Sequence, residues 1–164
     1  MFVRVKEIQN KNYAYLVANE WTTSGSRQRV KAYLGKVHTP ERKTERSFVP
    51  DSMKEFQQSI TDAIKWELEN HGFKHHNNNV LTKDGIIVDL NDKKVNYKNR
   101  KSVIALNDGH LCEHTLNELI HFKPSTNEQE TSTRLATKTV ETGLKLPTDA
   151  FIQLFEKLFK TQQP

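Results

Sequence analysis

The stretch Arg27–Val37, RQRVKAYLGKV, constrains this chain more than any other. Arg27, Arg29, Lys31 and Tyr33 occupy odd positions, and Gln28, Val30, Ala32 and Leu34 occupy even ones. Period two marks a strand with one face on a core and the other in solvent. The solvent face is then expected to carry three cations and an aromatic ring, with no carboxylate among them.

Two strand-like runs precede it. Met1–Ile8 alternates Val3 and Val5 with Arg4 and Lys6, and Tyr13–Trp21 is rich in aromatic and β-favouring residues. Asn10–Asn12 and TTSGS, with Gly25 free to take positive φ, supply the turns. The three runs predict an antiparallel meander that ends at Gly35. With Val3, Val5, Ala14, Leu16, Ala18, Val30, Ala32 and Leu34 on the core face, the other face gathers Arg4, Lys6, Arg27, Arg29 and Lys31. Tyr13, Tyr15, Trp21 and Tyr33 join them there, with Lys36 nearby. Cations between exposed rings suit a nucleic acid, because cations meet phosphates while rings stack on bases. The competing arrangement has a helix covering Tyr15 and Trp21 as a second core layer.

Charge distribution agrees with the first arrangement. The chain of 164 residues carries a net +5, yet residues 1–50 hold ten Lys/Arg against four Asp/Glu, while the rest hold fifteen against sixteen. A positive field confined to one segment attracts phosphate polyanions or an acidic protein partner. No apolar run approaches membrane-spanning length, the N-terminus lacks an apolar signal core, and the lone Cys112 excludes an internal disulfide. A soluble protein of a reducing cytoplasm is the expectation.

The remainder reads as α+β. His38–Asp51 is a linker or an ordered basic loop, and Asp51 is expected to cap a helix over Ser52–Asn70. Its stripe is Phe56, Ile60, Ala63, Ile64 and Glu67/Leu68, with Trp66 off the stripe and free to pack on another element. Gly72–Asn79 reads as a polar connection dividing residues 1–72 from residues 73–164. Beyond it, Val80–Thr82, Ile86–Leu90, Val95–Tyr97 and Val103–Leu106 are short strands between turns. Helices are expected over Glu113–Phe122, Asn127–Thr142 with Gly143 as its stop, and from Thr148 onward, where Phe151, Leu154, Phe155, Leu158 and Phe159 form the apolar face. That face is core or a homodimer or protein contact.

The run YAYLVANEWTTSGSRQRVKAYLGKV resembles the N-terminal region of DDE-type insertion-sequence transposases, and also small archaeal proteins that open with the same meander. The matching positions are Tyr13, Tyr15, Leu16, Val17, Arg27, Gln28, Arg29, Val30, Tyr33, Leu34 and Gly35, within about the first 40 residues. In those transposases the region precedes a catalytic domain of several hundred residues, for which this chain has no room. The resemblance therefore implies an accessory DNA-contacting module and not transposition.

Residues that could support catalysis are sparse. No phosphate-binding glycine loop occurs. Asp84, Asp89, Asp92 and Asp108 sit in or beside turns, where Asp stabilises the turn itself; a two-metal nuclease built from Asp84, Asp89 and Asp108 is the competing reading. His110, Cys112 and His114 would share one face of an extended segment and are good zinc ligands, but a helix starting at Cys112 or Glu113 would splay them and bury the thiol. No cofactor is expected. Lys93, Lys94, Lys98, Arg100 and Lys101 around Tyr97 form a second basic cluster, either a second phosphate contact or protection of a sheet edge. The expectation is a non-enzymatic nucleic-acid-binding protein, with a metal-dependent nuclease-like enzyme or an acidic-partner interaction protein as alternatives.

Overall fold

Alternation and turn chemistry build the first three strands, β1 (Phe2–Ile8), β2 (Lys11–Thr22) and β3 (Gly25–His38). The computed structural model describes residues 1–160. Gln9 and Asn10 both take positive φ, which a two-residue hairpin turn between β1 and β2 requires. After β3 come helix α1 (Phe56–Asn70), strands β4 (Lys74–Asn77), β5 (Val80–Lys83), β6 (Ile86–Asp89), β7 (Lys94–Tyr97), β8 (Arg100–Leu106) and β9 (Gly109–Leu111). Helices α2 (Glu113–Ile120), α3 (Glu128–Thr142) and α4 (Thr148–Lys160) complete the α+β fold.

The strands join in the order β1-β2-β3-β8-β7-β6-β5-β4, with β9 on β8. All the pairings are antiparallel except β3 with β8, where Lys36, Val37 and His38 lie beside Ser102, Val103 and Ile104 in parallel. The third strand thus runs past Gly35 instead of ending there. Gly35 takes φ +127°, and a Cβ on it would lie 2.3 Å from the carbonyl oxygen of Lys101. Only glycine lets the two backbones approach this closely.

A small apolar cluster under the meander unites Ala14, Leu16, Leu34, Val103 and Cys112, with Val3, Val5 and Val37 against it. A larger core brings Phe56, Ile60, Ile64 and Leu68 of α1 onto Leu81, Val88, Ile104 and Leu106, closed by Leu116, Leu119, Leu135 and Leu154. Helix α1 therefore shares its core with the residues after it. It does not cover Trp21, which is 86% exposed. The apolar face of α4 packs on this core too, through Leu154 and Leu158 with Phe151, Phe155 and Phe159 beside them.

Three boundaries differ from expectation. The side chain of Asp51 accepts a hydrogen bond from the Met53 amide at 2.9 Å, forming a local turn, so α1 starts only after Glu55 and has no side-chain cap. Strand β4 lies within the segment read as a connection; its residues are all exposed on a sheet edge and so show no apolar alternation. Strand β9 follows the Asn107–Asp108 turn directly. The α3 boundaries hold, because Asn127 accepts from the Glu130 amide at 3.0 Å and Gly143 takes the left-handed cap conformation at φ 94°.

The basic loop after β3 is ordered against α1. The amides of Lys43 and Thr44 donate to the Asn70 carbonyl, Trp66 Nε1 donates to the Arg46 carbonyl at 2.8 Å, and Phe48 packs on the Trp66 ring. Trp66, off the apolar stripe, serves this strap. Beneath the strap lies Glu67, fully buried within the stripe. Its carboxylate accepts from Asn107 Nδ2 at 2.7 Å and from the Lys145 amide at 3.1 Å, with the Arg42 guanidinium 3.5 Å away. One carboxylate thus ties the strap, α1, the β8–β9 turn and the α3–α4 loop together.

Gly35→Ala is expected to cost about 2–4 kcal/mol, combining positive-φ strain with a backbone clash. Glu67→Ala strands buried donors and is expected to cost about 3–5 kcal/mol. Urea denaturation midpoints check both, and a Gly35→Ala midpoint equal to wild type would remove the close-approach argument.

Candidate nucleic-acid interface

The residues singled out in the meander do not share one surface, and the register of β2 on β3 explains why. Tyr13 pairs with Lys36, Ala14 with Gly35, Tyr15 with Tyr33, Leu16 with Ala32, Val17 with Val30 and Ala18 with Arg29. Leu34 and Lys31 are left without a β2 partner, as the extra residue of a β-bulge is. Each step shifts the alternation by one residue, so the strict odd–even pattern of the sequence is not the pattern of the faces. Opposed residues share a face, which places Tyr33 and Lys36 with Tyr13 and Tyr15 but places Arg27 and Arg29 with Ala18 and Glu20.

The contacts agree with that assignment. On the first face the Tyr33 ring lies 5.4 Å from Tyr15 and 6.5 Å from Tyr13, and the Lys6 ammonium sits 5.3 Å over Tyr15. Arg4, opposite Tyr15 in the register, donates to Gln28 Oε1. On the second face Glu20 holds Lys31 at 2.7 Å and Arg29 at 3.4 Å. The hydrogen bond from Lys31, with the Arg29 charge beside it, holds the Glu20 carboxyl below its usual range. Arg27 has only a 3.4 Å contact to the Ser24 hydroxyl. The expected single patch is thus two: a tyrosine face with Arg4, Lys6 and Lys36, and a cationic face with Arg27, Arg29 and Lys31.

Val30 and Ala32, expected in the core, are solvent-exposed. The register step at Lys31 turns Val30 to the tyrosine face, and Ala32 lies on β3 where β8 no longer flanks it. Pairing of β1 with β2 stops at Val17, and pairing of β8 with β3 is confined to Lys36–His38, so the hairpin from Ala18 and Arg29 outward projects as a two-stranded ribbon with both edges open. Trp21 stands near its tip.

The second basic cluster lies beside the tyrosine face. Lys98 and Asn99 form the tight β7–β8 turn with positive φ at both positions, and Lys98 sits 5.3 Å over the Tyr97 ring. Burial, reinforced by Tyr15 and Tyr13, pushes the Tyr33 hydroxyl above its usual range, while the charge of Arg100 opposes this from close by. The seam of β3 with β8 brings Arg100 there. Lys94 and Lys101 line a cleft of about 330 Å³ together with Leu34 and Glu113. Lys101 is tied to Glu113 at 3.3 Å. Among the described residues Arg4, Lys6, Lys36, Lys94, Lys98 and Arg100 have no carboxylate within ion-pair distance.

No group of three or more His, Cys, Asp or Glu side chains converges on a metal-sized site among the described residues. Cys112 is the N-cap of α2, and its thiol is buried 3.6 Å from the Thr115 hydroxyl. His114 turns to Glu118 at 3.7 Å, and His110 is half-buried on β9. Asp89 accepts from the amides of Asn91 and Asp92, which makes it a turn residue. Compared with protein-family models, curated proteins and solved structures, the chain matches none.

Two histidines lend a pH dependence to stability. Burial, with the Lys36 charge adding to it, holds His38 below its usual value of 6.5, and burial does the same to His110. Each takes up a proton less readily folded than unfolded, so its contribution is complete above about pH 6.5 and is lost as the pH falls through the lower folded value. The urea midpoint is expected to drop between about pH 7.5 and pH 5.5, and the double variant His38→Gln/His110→Gln to flatten that drop. An undiminished drop in the variant would assign it to other groups.

Proposed function

We propose that this protein binds nucleic acid without catalysing a reaction on it, and prefers DNA to RNA. The observation that carries the reading is the tyrosine cluster on the open face of β1–β3, flanked by Arg4, Lys6, Lys36 and Arg100, which no carboxylate among the described residues neutralises. Tyr33 is 51% exposed, so the cluster meets solvent directly. In this role Arg4, Lys6, Lys36 and Arg100 contact phosphates while Tyr13, Tyr15 and Tyr33 offer ring surface to bases or sugars. Arg27, Arg29 and Lys31 form a second set of phosphate contacts on the opposite face, and Trp21 is the stacking ring of the ribbon. Lys94, Lys98 and Lys101 extend the field along the β7–β8 hairpin.

The preference for DNA draws on the resemblance of the first 40 or so residues to the N-terminal regions of transposases. The positive excess in residues 1–50 supports a polyanionic ligand of either kind. No helix among the described residues is long and apolar enough to cross a membrane. A reducing cytoplasm suits the single, buried Cys112.

Two triple variants separate the faces. Arg27→Ser/Arg29→Ser/Lys31→Ser and Arg4→Ser/Lys6→Ser/Lys36→Ser are both expected to fold, to bind more weakly, and to reduce the steepness of log K against log salt by about 2–3. Fluorescence anisotropy with labelled DNA at several salt concentrations measures both effects. Two well-folded variants with wild-type affinity and slope would place the ligand elsewhere or make it something other than nucleic acid.

A further inference from the structure

We infer that the β2–β3 ribbon is a groove-reading arm that enters the major groove of B-form duplex DNA, an inference that rests on the nucleic-acid reading above. From the Ala18–Arg29 pair to the Thr22–Gly25 pair the two strands pair with each other and with no further strand among the described residues, and at the base of the ribbon Arg4 of β1 reaches across to Gln28. Five residue pairs span about 15 Å, and the strands lie about 5 Å apart. The major groove of B-DNA is about 12 Å wide and admits a two-stranded ribbon, whereas the corresponding groove of duplex RNA is deep and too narrow to be read.

The chemistry of the two ribbon faces fits the same occupant. The face continuous with the tyrosines carries only uncharged ribbon residues beyond Val17, namely Asn19, Trp21, Ser26, Gln28 and Val30, with the Arg4 guanidinium bonded to Gln28 at its base. Asn and Gln are the side chains that pair bidentately with adenine edges, and exposed apolar groups meet thymine methyls. The opposite face carries Arg27, Arg29 and Lys31 against the one carboxylate of Glu20. With the uncharged face turned to the base pairs, the long side chains of Arg27, Arg29 and Lys31, all on β3, reach the phosphates of the groove wall beside that strand.

The register steps at the ribbon base make this division. A straight pairing would put Arg27 and Arg29 on the same face as Tyr33, mixing phosphate and base contacts on one surface. With Lys31 unpaired, charge collects on one side of the arm and neutral hydrogen-bonding groups on the other.

The test is a shortened arm, in which residues 19–28 are replaced by Asn-Gly to close the hairpin next to Ala18 and Arg29. This variant and the wild-type protein are titrated into fluorescein-labelled duplex DNA, the RNA duplex of the same sequence, and single-stranded DNA. In parallel, dimethyl sulfate probes guanine N7 in the major groove of DNA saturated with wild-type protein. Expected are tighter wild-type binding to duplex DNA than to duplex RNA, a loss of about 10-fold or more on shortening, and protection of N7. The inference is overturned by a folded short-arm variant that binds duplex DNA like wild type, by equal or tighter binding of duplex RNA or single strands, or by unprotected N7. Any of these leaves nucleic-acid binding itself standing, while equal or tighter binding of duplex RNA also removes the preference for DNA. Wild-type protein that binds none of the three probes defeats both. Should the shortened protein fail to fold, N7 protection and probe preference decide alone.

Discussion

Three residue pairs hold the two halves of the sheet in one piece. Where Lys36–His38 meets Ser102–Ile104, a meander that lacks a helix of its own becomes continuous with a sheet that has one. Gly35 makes this seam sterically possible, since the Lys101 carbonyl occupies the space of any side chain there. The Ser102 hydroxyl, buried in the seam, donates back to the Lys36 carbonyl at 3.0 Å. Without the seam, Val103 and Cys112 would be lost from the small cluster beneath β1–β3, and a three-stranded sheet with so little apolar cover is marginal alone.

The same seam organises charge. It delivers the β7–β8 hairpin to the flank of the tyrosine face, so two basic segments about 60 residues apart in the chain contribute to one field. Long-range pairing of this kind leaves no local mark. The sequence therefore shows two basic clusters but not their adjacency, which follows from parallel pairing across a gap containing α1 and four strands.

What was legible and what was not divides along that line. Alternation in Val3, Val5, Ala14 and Leu16 located strands and core face together, because in that region pairing is regular on β1. Asn127 and Gly143 set the ends of α3 by chemistry confined to one turn. The alternation in Arg27–Tyr33 misleads, because the register step at Lys31 reverses faces within the run and the ribbon has no core beneath it. Glu67 was read only as part of a helical stripe. Its role depends on Asn107, Lys145 and Arg42, from three distant segments, so spacing along α1 could not disclose a buried acceptor.

The central proposal is that several cations of this surface engage phosphates at once. The most direct measurement is the salt dependence of wild-type binding to a short labelled DNA duplex. Engagement of four to six phosphates gives a slope of log K against log salt of about −4 to −5. A slope of that size is the result the account predicts. Undetectable binding at low salt, or a slope near zero, would contradict it.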